Sequence, residues 1–144
     1  MSEEARVSTT ASPAHVWGVL ADISAWPSWS ASVVSVVPES SDPEVDPDGE
    51  HSAYRIEQPP LPHALWTITD WRAERGFTWQ TRGASSVMSV TYALRARQAG
   101  TEVWVDLTWS GAMAWMARAA YGPVSVRYAD AHLRALVRRC ESPA

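Results

Sequence analysis

Residues 11–29 read ASPAHVWGVLADISAWPSW, and the first part of this stretch carries the clearest helix start in the chain. Ser12 is a favourable N-cap, and Pro13 suits the first helical position because its φ is already helical and its missing N–H would have no helical partner. Apolar side chains then recur at helical spacing, at Val16, Trp17 and Leu20. The stretch therefore predicts a helix that runs from Pro13 to about Asp22.

The residues that follow predict a second, shorter helix. It carries Trp26 and Trp29, and we expect Pro27 to break it because proline removes a backbone donor and clashes with the preceding turn.

Outward from these helices the pattern changes to the alternation that is typical of strands. Residues 4–10 alternate weakly and predict an edge strand, and the β-branched run 32–37 predicts another strand, ended by Pro38. Beyond an acidic, proline-interrupted loop at 38–50, five further strands are expected at residues 51–58, 64–72, 77–82, 86–96 and 101–109. Regular alternation between short turns predicts an antiparallel meander with one face in water.

The last part of the chain returns to helical spacing. It predicts a long helix from Ala112 to about Cys140, with a break at Gly122-Pro123. The whole chain, residues 1–144, is therefore expected to form one α+β domain with the order strand, two short helices, six strands and a long helix.

The aromatic composition predicts a lined cavity. The chain has nine tryptophans and four tyrosines against one phenylalanine, and each buried indole or phenol needs a partner for its N–H or O–H, which a simple core does not require. Strand parity places one set of side chains inward, namely Tyr54, Trp66, Trp79, Met88, Tyr92 and Trp109. Met113 and Met116 at the start of the last helix are expected to complete the wall, since thioether side chains adapt to irregular shapes. Trp71 and Trp104 fall on the opposite parity and are interpreted as outer-face residues or contacts of a homodimer.

Composition also excludes several classes of function. The chain has no lysine, so Schiff-base chemistry and covalently attached pyridoxal phosphate are excluded. A formal net charge of −4 and dispersed arginines provide no basic stripe for nucleic acid. The single cysteine, Cys140, forms no internal disulfide, and the polar, acidic N-terminus predicts neither a signal peptide nor membrane insertion. We therefore expect a cytoplasmic protein.

Ligand patterns for metals are weak, and no metal or cofactor is predicted. Glu44, Asp46, Asp48 and Gly49 have the opening spacing of a calcium loop, but Arg55 occupies the position that requires a bidentate carboxylate, so a solvated loop is favoured. The four histidines share no helix face. His15 and His132 are interpreted as surface groups, whereas His51 and His63 flank a strand end and are candidates for ligand contact at a tunnel entrance.

The Pro-x-x-Val-Trp helix, the Trp26-Pro27-x-Trp29 segment and this order of elements resemble the START-like helix-grip (SRPBCC) superfamily, and within it the polyketide cyclase/dehydrase-like branch. Gly100-Thr101 resembles the family's turn into its last strand, and Tyr121-Gly122-Pro123 resembles a break in its final helix. The resemblance implies a curved antiparallel sheet wrapped around the long C-terminal helix, with an apolar ligand between them. It transfers no catalytic residue.

Three functions remain open from the sequence. The first is the binding of a hydrophobic, polyketide-like or aromatic small molecule, with cyclisation or dehydration as its chemistry and Tyr92 or Tyr54 polarising a carbonyl. The second is a non-catalytic carrier or sensor of a lipid, isoprenoid or quinone. The third is a protein-interaction domain whose interior is only a packed core.

Overall fold

A computed structural model describes residues 2–39, 52–59, 61–83 and 85–142. These described residues form seven strands, two α-helices and one 3₁₀ helix. The strands are β1 (Ser2–Thr9), β2 (Ser35–Pro38), β3 (Ala53–Glu57), β4 (Ala64–Arg72), β5 (Gly76–Arg82), β6 (Val87–Arg97) and β7 (Gly100–Ser110). The helices are α1 (Pro13–Leu20), the 3₁₀ helix (Ile23–Ser28) and α2 (Ala114–Glu141).

The strands form a single curved antiparallel sheet in the order β1-β7-β6-β5-β4-β3-β2. Consecutive strands from β2 to β7 pair as neighbours, and β1 closes the far side by pairing with β7. The long helix α2 packs against the inner face of this sheet and buries Leu133 and Leu136 completely. The α+β helix-grip architecture predicted from the sequence is thus confirmed, with β1 as an edge strand.

The predicted start of α1 is confirmed in atomic detail. The Ser12 hydroxyl accepts a hydrogen bond from the His15 backbone N–H at 3.2 Å, and Pro13 occupies the first turn. Val16 and Leu20 on the same helix face are fully buried. The second helix is of the 3₁₀ type, and its Trp26 is anchored by an indole N–H that donates to the Leu20 carbonyl at 2.9 Å.

Two predicted boundaries are wrong. Strand β2 begins at Ser35 rather than Ser32, because the backbone over 31–32 is a turn. Helix α2 runs without a break through Gly122-Pro123. Pro123 provides no N–H for the carbonyl four residues earlier, but the further clash of a proline with the Cβ of the residue before it does not arise, because Gly122 has no Cβ.

The outer-face prediction for Trp71 is also wrong. Strands β4 and β5 shift register between Ile68 and Asp70, and one extra residue in a strand reverses which face the later side chains occupy. Trp71 therefore lies half-buried beside Phe77 and packs edge-on against Trp17 of α1, with ring centroids 4.9 Å apart.

Trp104 does lie on the outer face, as its parity predicts. The guanidinium groups of Arg6 and Arg95 lie 5.0 and 5.7 Å from the centre of its ring, an arrangement that is typical of cation–π contacts. Its indole N–H donates to the carboxylate of Glu102. A dimer contact at this surface stays a prediction.

Candidate functional site

A cavity of about 600 Å³ lies between the inner face of the sheet and α2. Strands β3 to β7 provide one wall, the 3₁₀ helix provides Trp26, and α2 provides the opposite wall. The aromatic lining consists of Trp26, Trp66, Trp79, Tyr92, Trp109, Tyr121 and Tyr128. A volume of this size is within the range of small-molecule sites, so the interior is more than a packed core.

The indoles of the wall support one another through ring contacts. Trp79 lies at the centre, with ring centroids 5.3 Å from Trp26 in an edge-on arrangement and 5.4 Å from Trp66. Such geometries are the favoured ones for aromatic pairs. Because Trp26 and Trp79 are almost fully buried, the wall is held in place before any ligand arrives.

Five of the residues predicted from strand parity lie on this wall. They are Trp66, Trp79, Met88, Tyr92 and Trp109. Their role in binding a ligand stays a prediction, but their positions agree with it.

Three other predicted residues are placed elsewhere. Tyr54 is buried beside the wall, directly across the β3–β4 pair from Trp66 and with its ring 6.5 Å from that of Trp79, and it does not contribute to the described lining. Met113 and Met116 are 38% and 46% exposed and lie outside the lining as well. The backbone explains the methionines: Met113 precedes the first turn of α2, and the helix covers the cavity only from Ala117 onward.

Tyr92 is the buried phenol among the three tyrosines of the cavity lining. It lies on β6, with its ring stacked on Phe77 at 4.9 Å and edge-on to the imidazole of His132 at 6.3 Å. Burial raises the pKa of Tyr92 above its ordinary value, because the phenolate would lose its hydration. The hydroxyl is therefore protonated at neutral pH and is available as a hydrogen-bond donor.

The surface interpretation of His132 is wrong. Its side chain is buried, lines the cavity, and packs against Trp26 at 4.3 Å and Trp29 at 5.0 Å between ring centroids. Nδ1 lies 2.8 Å from the Ser30 hydroxyl. Burial lowers the pKa of His132 to about 3, so the imidazole is neutral at physiological pH.

A signal for His132 was present in the sequence. It lies four residues before Leu136 and three after Ala129, on the apolar stripe of the last helix. The other predicted surface histidine, His15, is exposed, with Nε2 3.1 Å from the carbonyl oxygen of Cys140.

The entrance of the cavity is formed by α2 and by described residues of two further segments, which are Gln58, Leu61, Pro62 and His63 on one side and Arg82, Gly83 and Ser86 on the other. His63 lies there, with Nε2 3.5 Å from the carboxylate of Glu57, and Arg82 is exposed on the opposite turn. The Tyr128 hydroxyl donates to the Pro59 carbonyl and links α2 to the first turn. His51, the other entrance candidate, lies outside the described residues.

Within the described residues, no three His, Cys, Asp or Glu side chains are grouped so as to hold a metal ion. The acidic loop segment Glu44–Gly49 lies outside the described residues. Among the described helices, none is both long and apolar enough to cross a membrane.

The chain belongs to the family described as "Polyketide cyclase / dehydrase and lipid transport", which it matches over residues 2–141. The resemblance drawn from its helix and strand pattern is thereby confirmed. The family supports a hydrophobic-ligand-binding, polyketide cyclase/dehydrase-like fold. No curated protein matches the chain.

Solved structures share the fold at low sequence identity. The Zhui aromatase/cyclase from a Streptomyces species is 18% identical, with a TM-score of 0.74, over 98% of this chain and 93% of that one. A START superfamily protein from Mycobacterium smegmatis is 13% identical, with a TM-score of 0.73, over 97% of both chains. The di-domain aromatase/cyclase StfQ from the steffimycin biosynthetic pathway is 10% identical, with a TM-score of 0.77, over 97% of this chain but only 50% of its own. At these identities the likeness concerns the fold alone.

Proposed function

We propose that this protein binds a hydrophobic, polyketide-like or aromatic small molecule in the cavity and promotes its cyclisation or dehydration. The observation that carries the proposal is the cavity of about 600 Å³ walled by indole and phenol rings. Flat aromatic walls suit flat, conjugated ligands, because ring contacts in offset or edge-on geometry stabilise them beyond simple burial. The aromatase/cyclase activity of the Zhui and StfQ proteins, named with their structures, is consistent with it.

Catalysis would depend mainly on shape. A flexible chain confined between the sheet and α2 is folded into one geometry, and such ordering supplies about 7–11 kcal/mol of effective-molarity advantage in favourable intramolecular reactions. A cyclisation also places negative charge on a carbonyl oxygen as the new carbon–carbon bond forms. Our proposal gives to Tyr92 the role of hydrogen-bond donor to that oxygen, because its phenol is protonated and lies on the wall.

A carrier or sensor of a lipid, isoprenoid or quinone is the second candidate. The predominance of indole and aliphatic groups on the wall favours it, since storage needs no oriented acid or base. Turnover separates the two candidates: a carrier returns its ligand unchanged, whereas an enzyme releases a cyclised or dehydrated product.

Binding is tested with a neutral apolar dye such as Nile red, together with native mass spectrometry for a co-purified apolar ligand. We expect the dye to quench tryptophan emission, because several indoles lie on the cavity wall. Trp79→Phe should weaken dye binding severalfold, since it removes part of the central wall while keeping an aromatic ring.

Trp104→Phe is the matched control, because Trp104 lies on the outer face. It should leave dye affinity unchanged. Equal affinity in the parent and in a folded Trp79→Phe variant, or an equal loss in both variants, would contradict the assignment of the cavity as the binding site.

A further inference from the structure

Two buried polar atoms of α2 have no hydrogen-bond partner among the described residues. They are Ser125 Oγ and His132 Nε2. Their residues are only 6% and 3% exposed, and both line the cavity. Buried polar groups in folded proteins are nearly always paired, so each exception calls for an explanation. Both residues contribute to the cavity lining, so an ordered water or a ligand molecule in the cavity can supply the missing partner.

The two atoms also define a spacing. Ser125 and His132 are seven residues apart in one continuous helix, which is about two turns, so their side chains share one face and are separated by roughly 10 Å along the axis. A ligand that reaches both must therefore extend along α2.

The surroundings of His132 carry no charge. Nδ1 lies against the Ser30 hydroxyl, and the ring packs on Trp26, Trp29 and Tyr92. Burial lowers the pKa of His132 to about 3, so the imidazole itself is neutral. Among the described lining residues the one arginine is Arg82, which is exposed at the entrance. An ionised carboxylate placed beside His132 would therefore lose its hydration without gaining a cation.

We propose that the cavity recognises an uncharged, elongated apolar ligand through two oxygens, one hydrogen-bonded at His132 Nε2 and the other at Ser125 Oγ. A hydroxyl group suits both sites, because it donates and accepts. It can therefore form a hydrogen bond with either neutral tautomer of the imidazole. In one tautomer Ser30 donates to Nδ1 and Nε2 is the donor to the ligand; in the other Nδ1 donates to Ser30 and Nε2 is the acceptor. This ligand class rests on the proposed function, since it needs the cavity to bind a small molecule.

The test is a calorimetric titration with four probes: biphenyl, para-hydroxybiphenyl, para,para-dihydroxybiphenyl and para-phenylbenzoate. They share one apolar body, and the two oxygens of the dihydroxy compound lie about as far apart as the two sites. We expect each hydroxyl to tighten binding by about 2- to 12-fold, as a net hydrogen bond does. The carboxylate should bind more weakly than para-hydroxybiphenyl.

Variants assign the two oxygens. Ser125→Ala and His132→Asn should each remove one hydroxyl's gain, measured as the ratio of the affinity for a hydroxylated probe to the affinity for biphenyl in the same variant; asparagine keeps a polar atom for Ser30 but has none at the Nε2 position. His132→Gln restores an amide near that position and should recover the gain. Ser8→Ala removes an exposed hydroxyl of β1, outside the cavity lining, and should leave the whole series unchanged.

The outcomes separate this inference from the proposed function. If biphenyl binds the parent but the hydroxyl groups add nothing, or if the carboxylate binds best, the two-oxygen ligand class is overturned while the cavity stands as a binding site. If no probe binds, including biphenyl, the proposed function itself fails. Should His132→Asn not fold by circular dichroism, Ser125→Ala, which deletes one unpaired atom, decides the question alone.

Discussion

Tyr92→Phe is expected to lower turnover of a cyclisable substrate by about 10²- to 10⁴-fold, the usual contribution of one general acid–base or hydrogen-bonding group. The substitution keeps the ring that stacks on Phe77 and deletes only the hydroxyl. Substrate affinity should therefore change little, and the loss should appear in kcat rather than KM. Single-turnover assays with a substrate identified by mass spectrometry measure both quantities.

Tyr54→Phe is the matched control for this effect. Tyr54 is also buried, but it lies outside the described cavity lining, with its ring 6.5 Å from that of Trp79. Its variant should retain the parent turnover once stability has been checked. Parent-like turnover in Tyr92→Phe would show that the phenol is structural and would favour the carrier, or a cyclisation that depends on shape alone.

The fold was predictable because its signals are local. Ser12 and Pro13 mark the start of α1 through backbone chemistry within one turn, and the alternation of apolar side chains from Val87 to Arg97 specifies both the strand and its inner face. Where a strand is regular, the alternation of its side chains also predicts which of them face the cavity. Trp79, Tyr92 and Trp109 were assigned correctly to the inner face for this reason. The resemblance to the family added the wrapping of the curved sheet around the long C-terminal helix.

The errors arose where a local pattern was interrupted by a long-range contact. One extra residue between Ile68 and Asp70 turned Trp71 to the inner face, and single-sequence alternation contains no sign of such a bulge. The methionines were misplaced because the helical spacing continues to Met113, whereas the cavity begins a turn later. For His132, the polar character of the residue outweighed its position on an apolar stripe. A polar side chain at a position where the helix pattern expects an apolar one indicates a residue of a binding site rather than of a plain hydrophobic core.

Acid should destabilise the fold through His132, and this is the second large effect that we expect. The groups that contact its imidazole, Ser30, Trp26, Trp29 and Tyr92, are uncharged. The pKa of His132 is about 3 in the folded protein and about 6.5 in an unfolded chain. Between these values the unfolded chain binds a proton that the folded protein does not, so stability rises with pH. The contribution is complete above pH 6.5 and is lost as pH falls towards 3.

The expected size is about 1.4 kcal/mol for each pH unit below 6.5, or roughly 2.7 kcal/mol at pH 4.5. Carboxylates titrate over part of the same range, so the measurement compares urea unfolding of the parent with that of His132→Asn at pH 7, pH 5.5 and pH 4.5. Asparagine cannot take up the proton, whereas His15, His63 and every carboxylate are common to both proteins. The free energy of unfolding of the parent minus that of the variant should therefore fall by roughly 2.7 kcal/mol between pH 7 and pH 4.5. If the difference in free energy of unfolding between parent and variant stays constant over this range, the folded protein accommodates a protonated His132. The inference that the cavity is uncharged around His132 would then be wrong.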